Sequence, residues 1–257
     1  MRIAVVSLFP LMLRAALTHG VLGRAMERGL LTVECHDPRD YASDVHRTVD
    51  DRPYGGGPGM VLKVQPLRAS IRGAVAQMPA GSRRVYLGAD GRRFEQSMAR
   101  EARDLPGLIL VAGRYEGVDE RFIDTEIDEV WSIGDYVLTG GELPALVVID
   151  AIARLLPGAL GSAESAVQES FTEGLVDWPH YTRPPTLDGR AVPAVLVSGD
   201  HAAIQRWRLQ QALGRTWLRR PELLEQRGMS SEERVLLEEF KVERAQRTDG
   251  NHPKFLD

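Results

Sequence analysis

Three glycine-rich segments follow short apolar runs and can bring main chain close to a ligand. They are Gly88-Ala89-Asp90-Gly91, Gly113-Arg114-Tyr115-Glu116-Gly117, and the stretch Ile133 to Glu142, which reads IGDYVLTGGE. In open α/β sheets ligands bind beyond the carboxyl ends of strands, and glycine there lets backbone approach closely and adopt positive φ. None of the three matches G-x-G-x-x-G or G-x-x-x-x-G-K-[ST], so dinucleotide and P-loop chemistry lack support. A ligand without phosphate, such as an adenosine attached to an amino acid, suits these loops.

Other segments carry different chemistry. The cluster DRPYGGGPGM, residues 51–60, is too long for a hairpin turn. It reads as a surface loop or a flap that orders over a substrate, with Arg52 available for a phosphate. Glu164, Glu169, Glu173 and Asp177 place carboxylates close together, and composition reads them as a solvated linker. The following DWPHYTRP interleaves Trp178, His180, Tyr181 and Arg183, side chains that stack on unpaired bases and hold phosphate. Arg206, Arg208, Arg215, Arg219 and Arg220 accompany Trp207 and Trp217, with Asp200 the lone acid between residues 200 and 220. Guanidinium groups bind phosphate bidentately and stack, which favours nucleic-acid contact over a plain solvated face. The six histidines show neither H-x-H nor H-E-x-x-H spacing and there is one cysteine, so no metal site is expected. No G-x-S-x-G is present, against an α/β-hydrolase.

The elements that must position these residues alternate. Strands are expected at Ile3–Leu8, Leu31–Cys35, Arg84–Leu87, Leu108–Ala112 and Glu129–Ile133, with helices at Leu11–Arg28, Val64–Ala76, Phe94–Leu105 and Leu143–Leu156. Continuous apolar strands alternating with helices indicate a parallel α/β sheet. Residues 158–190 lack a period and read as a long loop. Beyond them Ala202–Leu213, Pro221–Gln226 and Ser231–Gln246 read as helices, the last opened by Ser230-Ser231 before Glu232-Glu233. The expected organisation is an α/β domain over 1–160, a linker over 161–176 and a helical domain over 177–257.

The chain has 257 residues, 43% hydrophobic and 26% charged, an ordinary globular composition that argues against disorder, collagen and coiled coil. A net charge of −4 excludes a globally basic nucleic-acid binder but not a local basic patch. Cys35 cannot form an intrachain disulfide, which fits a reducing compartment. Residues 3–13 have the length of a signal-peptide core, but Pro10 and Arg14 break the run, so a buried strand is expected. Asp150 and Arg154 interrupt the apolar stretch 143–160, against a membrane span.

The segments LFP (8–10), DRPYGGGPGM (51–60), AGRYEGVDER (112–121), SIGDYVLTGGELPALVVIDAIARLLPG (132–158), DWPHYTRP (177–184), SGDHAAIQRWR (198–208) and RTWLRRPELL (215–224) resemble, in order, the bacterial tRNA (guanine-N1-)-methyltransferases of the TrmD family. The resemblance implies an α/β SPOUT fold, a parallel sheet with a deep trefoil knot, plus a small, mostly helical C-terminal domain that grips tRNA. It implies a cytoplasmic homodimer with composite active sites that moves methyl from S-adenosylmethionine to N1 of guanine 37, with Mg²⁺ a further candidate cofactor. The implied cofactor residues are Tyr86 and Leu87 around the adenine, Gly113 and Glu116, then Ile133, Gly134, Asp135, Tyr136, Val137, Leu138, Gly140, Gly141 and Pro144. The implied tRNA contacts are Arg52, His180, Tyr181, Arg183, Arg215, Arg219 and Arg220. Arg154 matches the family arginine for O6 of the base. The family general base is an aspartate in D-S-F, and here the motif reads Glu169-Ser170-Phe171. Carboxylate function survives with one extra methylene, and Asp177 is the alternative base or helper. A module of the same fold that holds tRNA with weak or no catalysis is the competing reading; a hydrolase using the glycine loops for phosphate is a third.

Overall fold

The structure, a computed structural model, describes residues 1–161 and 169–248. The chain divides into two compact units, Met1–Ala166 and Val167–Asp257. Glu164, one of the candidate acids, lies outside the described residues.

The first unit is built on parallel strands β1 (Arg2–Val6), β2 (Thr32–His36), β5 (Arg83–Arg93), β6 (Leu108–Ala112) and β7 (Glu129–Ser132), in the order β2-β1-β6-β5-β7. The pleat sends alternate residues to opposite faces. Ile3, Val5, Leu108 and Leu110 face one core, shared with α1 (Pro10–Leu17), α2 (Gly20–Glu27), α4 (Gln96–Arg103) and α6 (Glu142–Ala153). Ala4, Val6, Ile109 and Val111 face the other, under α3 (Val64–Gln77) and α5 (Glu120–Glu126). Burial on both faces is why these strands read as unbroken apolar runs.

Three local expectations change. The single helix expected over 11–28 is two, because the Thr18 hydroxyl turns back to donate to the Ala15 carbonyl and the chain bends at His19-Gly20 before α2. Gly88–Gly91 is not a free turn: it is a bulge inside β5, which pairs with β7 through Leu87, loses register, and pairs again from Arg92. A Cβ on Gly91 would lie 2.6 Å from the Trp131 nitrogen, so only glycine lets the bulge close against β7. The glycine-rich 51–60 segment is, after all, the loop of a hairpin, closed by β3 (Asp50–Asp51) against β4 (Val61–Leu62).

In the second unit, β8 (Thr186–Leu187) and β9 (Arg190–Ala191) form a hairpin around Asp188-Gly189, inside a stretch that lacked any period. Helices α7 (His201–Arg219), α8 (Pro221–Arg227) and α9 (Ser231–Thr248) follow. The Asp200 carboxylate accepts from the Ala203 amide and starts α7, which runs past the expected Leu213. Ser230 and Glu233 exchange side-chain-to-backbone bonds of 3.1 and 2.8 Å, a reciprocal cap before α9. Leu175, Ala212, Leu213, Leu224, Leu236 and Leu237 form this unit's core. Among the described residues no helix is long and apolar enough to cross a membrane.

Candidate functional site

β5, β6 and β7 lie side by side, so the segments leaving them meet at one edge of the first unit. There they enclose a cavity of about 160 Å³. Tyr86 and Leu87 come from β5, Gly113 and Glu116 from the segment after β6, Ile133, Gly134, Tyr136, Val137, Leu138, Gly140 and Gly141 from the segment between β7 and α6, and Pro144 from the first turn of α6. Asp135 alone of the expected cofactor residues does not line it. Arg114, Tyr115 and Thr139 also line it, as do Trp131 and Ser132. The sequence reading placed the first three in the loops without a role; the last two sat unmarked at a strand end.

Main chain builds much of this wall. The Gly141 amide donates to the Gly113 carbonyl at 2.9 Å, and Arg114 and Gly140 form an isolated antiparallel bridge. A Cβ on Gly141 would sit 2.6 Å from the Ala112 Cα, so the third loop can lie on the end of β6 only as glycine. Leu87, Ile133, Leu138 and Pro144 contribute apolar surface. Burial, with Asp90 and Glu120 adding to it, pushes the Tyr86 phenol up, so it stays a neutral donor. The hairpin loop 51–60 reaches the same segment: the Glu116 amide donates to the Met60 carbonyl at 3.0 Å and the Leu62 amide to that of Gly117 at 3.0 Å. Arg52 is exposed where that loop leaves β3.

Arg154 is not in this cavity. It is the half-buried carboxyl cap of α6, whose opposite end lines the cavity at Gly141 and Pro144. Ten residues of helix put it roughly 15 Å from Pro144 along the axis, at about 1.5 Å per residue.

The second unit holds a separate cavity of about 590 Å³, lined by Glu169, Asp177, Trp178, Arg206 and Arg208 among others. Both candidate bases therefore face one space. Asp177 Oδ1 accepts from the Trp178 amide at 2.8 Å, Oδ2 pairs with His180 Nε2 at 2.8 Å, and the Asp177 amide donates to Ser170 Oγ at 3.0 Å. Arg208 stacks over Trp178 at 5.0 Å, and Tyr181 tilts against Trp207 at 6.4 Å. His180, Tyr181, Arg183, Arg219 and Arg220 are exposed. The arginine cluster is less basic than its count: Arg206 pairs with Glu239 and Arg220 with Glu222. Burial, with the nearby Arg219, pushes Arg215 down. Among the described residues Arg208, Arg215 and Arg219 carry no ion pair, and no group of three or more His, Cys, Asp or Glu is placed to hold a metal.

The family described as tRNA (Guanine-1)-methyltransferase TrmD matches residues 1–226. Among curated relatives, a tRNA (guanine-N(1)-)-methyltransferase of Proteus mirabilis is 61% identical over 248 residues, 96% of this chain and 99% of that protein. Proteins of the same name from Chromohalobacter salexigens (60% over 251 residues, 95% and 94%) and Methylococcus capsulatus (63% over 243 residues, 95% and 97%) are similarly close. A match that runs through the loop-lined edge, the Glu169–Arg183 stretch and the arginine helix shows that the chain belongs to the TrmD family of tRNA (guanine-1)-methyltransferases.

Proposed function

We propose that this chain is a cytoplasmic enzyme that moves a methyl group from S-adenosylmethionine to N1 of guanine 37 of tRNA. The observation that carries the reading is the cavity at the carboxyl ends of β5–β7. It offers apolar surface for an adenine, backbone polar groups, a neutral Tyr86 and the Glu116 carboxylate, and no phosphate fingerprint. These features fit S-adenosylmethionine, which supplies an electrophilic methyl on its sulfonium.

The chain's residues then have two tasks. Guanine N1 carries a proton at neutral pH, so a carboxylate must accept it as the N1–carbon bond forms. Glu169 is that base. The choice rests on its place in Glu169-Ser170-Phe171, which stands where the family carries D-S-F; Asp177, bonded to the Trp178 amide and His180, is the alternative base or a helper that holds the DWPHYTRP turn. Charge displaced toward O6 needs a cation, and Arg154 supplies it. Since Arg154 sits at the far end of α6 from its own chain's cavity, a composite site in a homodimer accommodates the pair. An apolar face supports such a dimer: Leu143 and Val147 stand 47% and 48% exposed on α6, beside Leu11 and Met12 of α1 at 77% and 39%. The trefoil knot belongs to the same reading. Its support is that the segment after β7 returns across the end of β5 to bond with the exit of β6. His180, Tyr181, Arg183, Arg215, Arg219 and Arg220, with Arg52, are the proposed tRNA contacts. Mg²⁺, which keeps several waters and needs only one or two carboxylates, has no assigned step.

The test is methyl transfer with labelled S-adenosylmethionine on tRNA carrying guanine or adenine at 37. Label on N1 of guanine 37 alone is the expected result. Binding of tRNA without transfer would favour the non-catalytic module instead. A mixed dimer of Glu169→Gln and Arg154→Ala chains should recover part of the activity, because one of its two sites keeps both groups.

A further inference from the structure

Glu142 opens α6, yet its side chain is 1% exposed. A carboxylate so far from water persists only with partners. One oxygen accepts from Ser7 Oγ at 2.7 Å and the other from Arg114 Nε at 2.8 Å. The Phe9 amide donates to the same Ser7 oxygen at 2.9 Å, which leaves the hydroxyl proton for Glu142 and fixes its direction. Arg114 reaches on: its Nη1 donates to the Thr139 carbonyl at 3.1 Å, and its guanidinium lies 4.4 Å from the centre of the Phe9 ring. Thus the exits of β1 and β6, the third glycine loop and the first turn of α6 are fastened through one buried ion pair. Neither Glu142 nor Ser7 lines the cavity, whereas Arg114 and Thr139 do.

We propose that Glu142 and Arg114 are positioning residues that hold the 133–141 loop in its cofactor-receiving shape before any ligand arrives. The backbone contacts of that loop, Gly141 to Gly113 and Gly140 to Arg114, close only if the loop lies flat on the end of β6. The Arg114 fork ties it there from the side. Preorganisation of this kind improves affinity by removing the ordering cost of binding. Its loss falls on cofactor binding, not on the reaction or on tRNA. The inference rests on the proposed use of this cavity for S-adenosylmethionine, and also makes a claim about the loop itself that needs no ligand.

Two variants test it. Glu142→Gln keeps the shape and removes the charge. Arg114→Lys keeps a cation but lacks the second nitrogen that spans Glu142 and Thr139. Amide hydrogen exchange without ligand should quicken at least tenfold at 136–141 in both variants, while Val5 and Val85 in the sheet keep wild-type protection. The Kd for S-adenosylmethionine should rise tenfold or more in both; in Glu142→Gln, whose residue lies outside the cavity, kcat at saturating cofactor and the KM for tRNA should stay within a few-fold of wild type. Unchanged loop exchange overturns the proposal, as does protection lost across the whole sheet, or a fall in kcat with cofactor affinity intact. If Glu142→Gln does not fold, Arg114→Lys, which leaves the buried carboxylate a cation, decides the question. If the wild-type protein does not bind S-adenosylmethionine, the functional reading falls, and the exchange measurement still decides whether the pair holds the loop.

Discussion

At the scale of single residues, two candidate carboxylates, Glu169 and Asp177, face one cavity of the second unit. Asp177 binds the Trp178 amide through one oxygen and His180 through the other. On the proposed assignment, removing the proton acceptor matters most at Glu169. Glu169→Gln is expected to slow methyl transfer by about 10²–10⁴, the usual worth of a general base, with S-adenosylmethionine affinity within a few-fold; Glu169→Asp should preserve turnover. Normal turnover by Glu169→Gln alongside a dead Asp177→Asn would move the assignment. Gly141 offers a second residue-scale check. Its missing Cβ would meet main chain, the Ala112 Cα at 2.6 Å, and backbone cannot swing aside as a long side chain can. Gly141→Ala should weaken cofactor binding by tenfold or more, roughly 1.4 kcal/mol, and calorimetry showing wild-type affinity would disprove the placement.

At the scale of elements, α6 carries the arrangement, because one end lines the cavity and Ile149 and Ile152 anchor its second half in the core. Ile149 is wholly buried, and Ile149→Ala should cost about 2–5 kcal/mol of stability, measured by denaturant midpoint. At the opposite end of the same strands, Arg84 at the start of β5 donates side-chain and backbone bonds to Asp128, just before β7. The Arg84 side-chain bond holds the Asp128 carboxyl below its ordinary range. A carboxyl depressed in the folded state stabilises it above the unfolded value, about 3.9, and that contribution is lost as pH falls through the folded value. Asp128→Asn should thus lower the Tm near neutral pH, with the gap to wild type narrowing below about pH 4. A gap that stays constant into acid would exclude the ion pair as its source. The pair is partly exposed, so a modest effect is expected.

At the scale of the whole molecule, the net charge of −4 must coexist with a polyanionic substrate. Affinity for tRNA should still fall steeply with salt, because Arg215, Arg219 and Arg183 act locally and each phosphate contact releases counterions. Arg215→Ala with Arg219→Ala should flatten the slope of log K against log salt and leave cofactor binding alone; an unaltered slope would place the phosphate contacts elsewhere. Much of this was legible in the chain. Ile3, Val5, Leu108 and Leu110 sit in runs apolar at every position, which only burial on both faces explains, so the parallel sheet followed from composition and period. The glycine segments were legible too, and the fold brings residues of all three to one cavity. What the sequence left open depends on contacts between residues far apart. Ser7 and Glu142, 135 positions apart, meet because strand order, not chain order, sets neighbours. The bulge over Gly88–Gly91 needs a partner strand to be defined, and the Glu239 that neutralises Arg206 is an ordinary helix glutamate until the fold brings it, 33 positions on, into reach. Residue types and local spacing reported which chemistry was present; only the packed chain decided which group stands beside which, because hydrogen bonds and ion pairs act over a few ångströms of space and not over distance along the sequence.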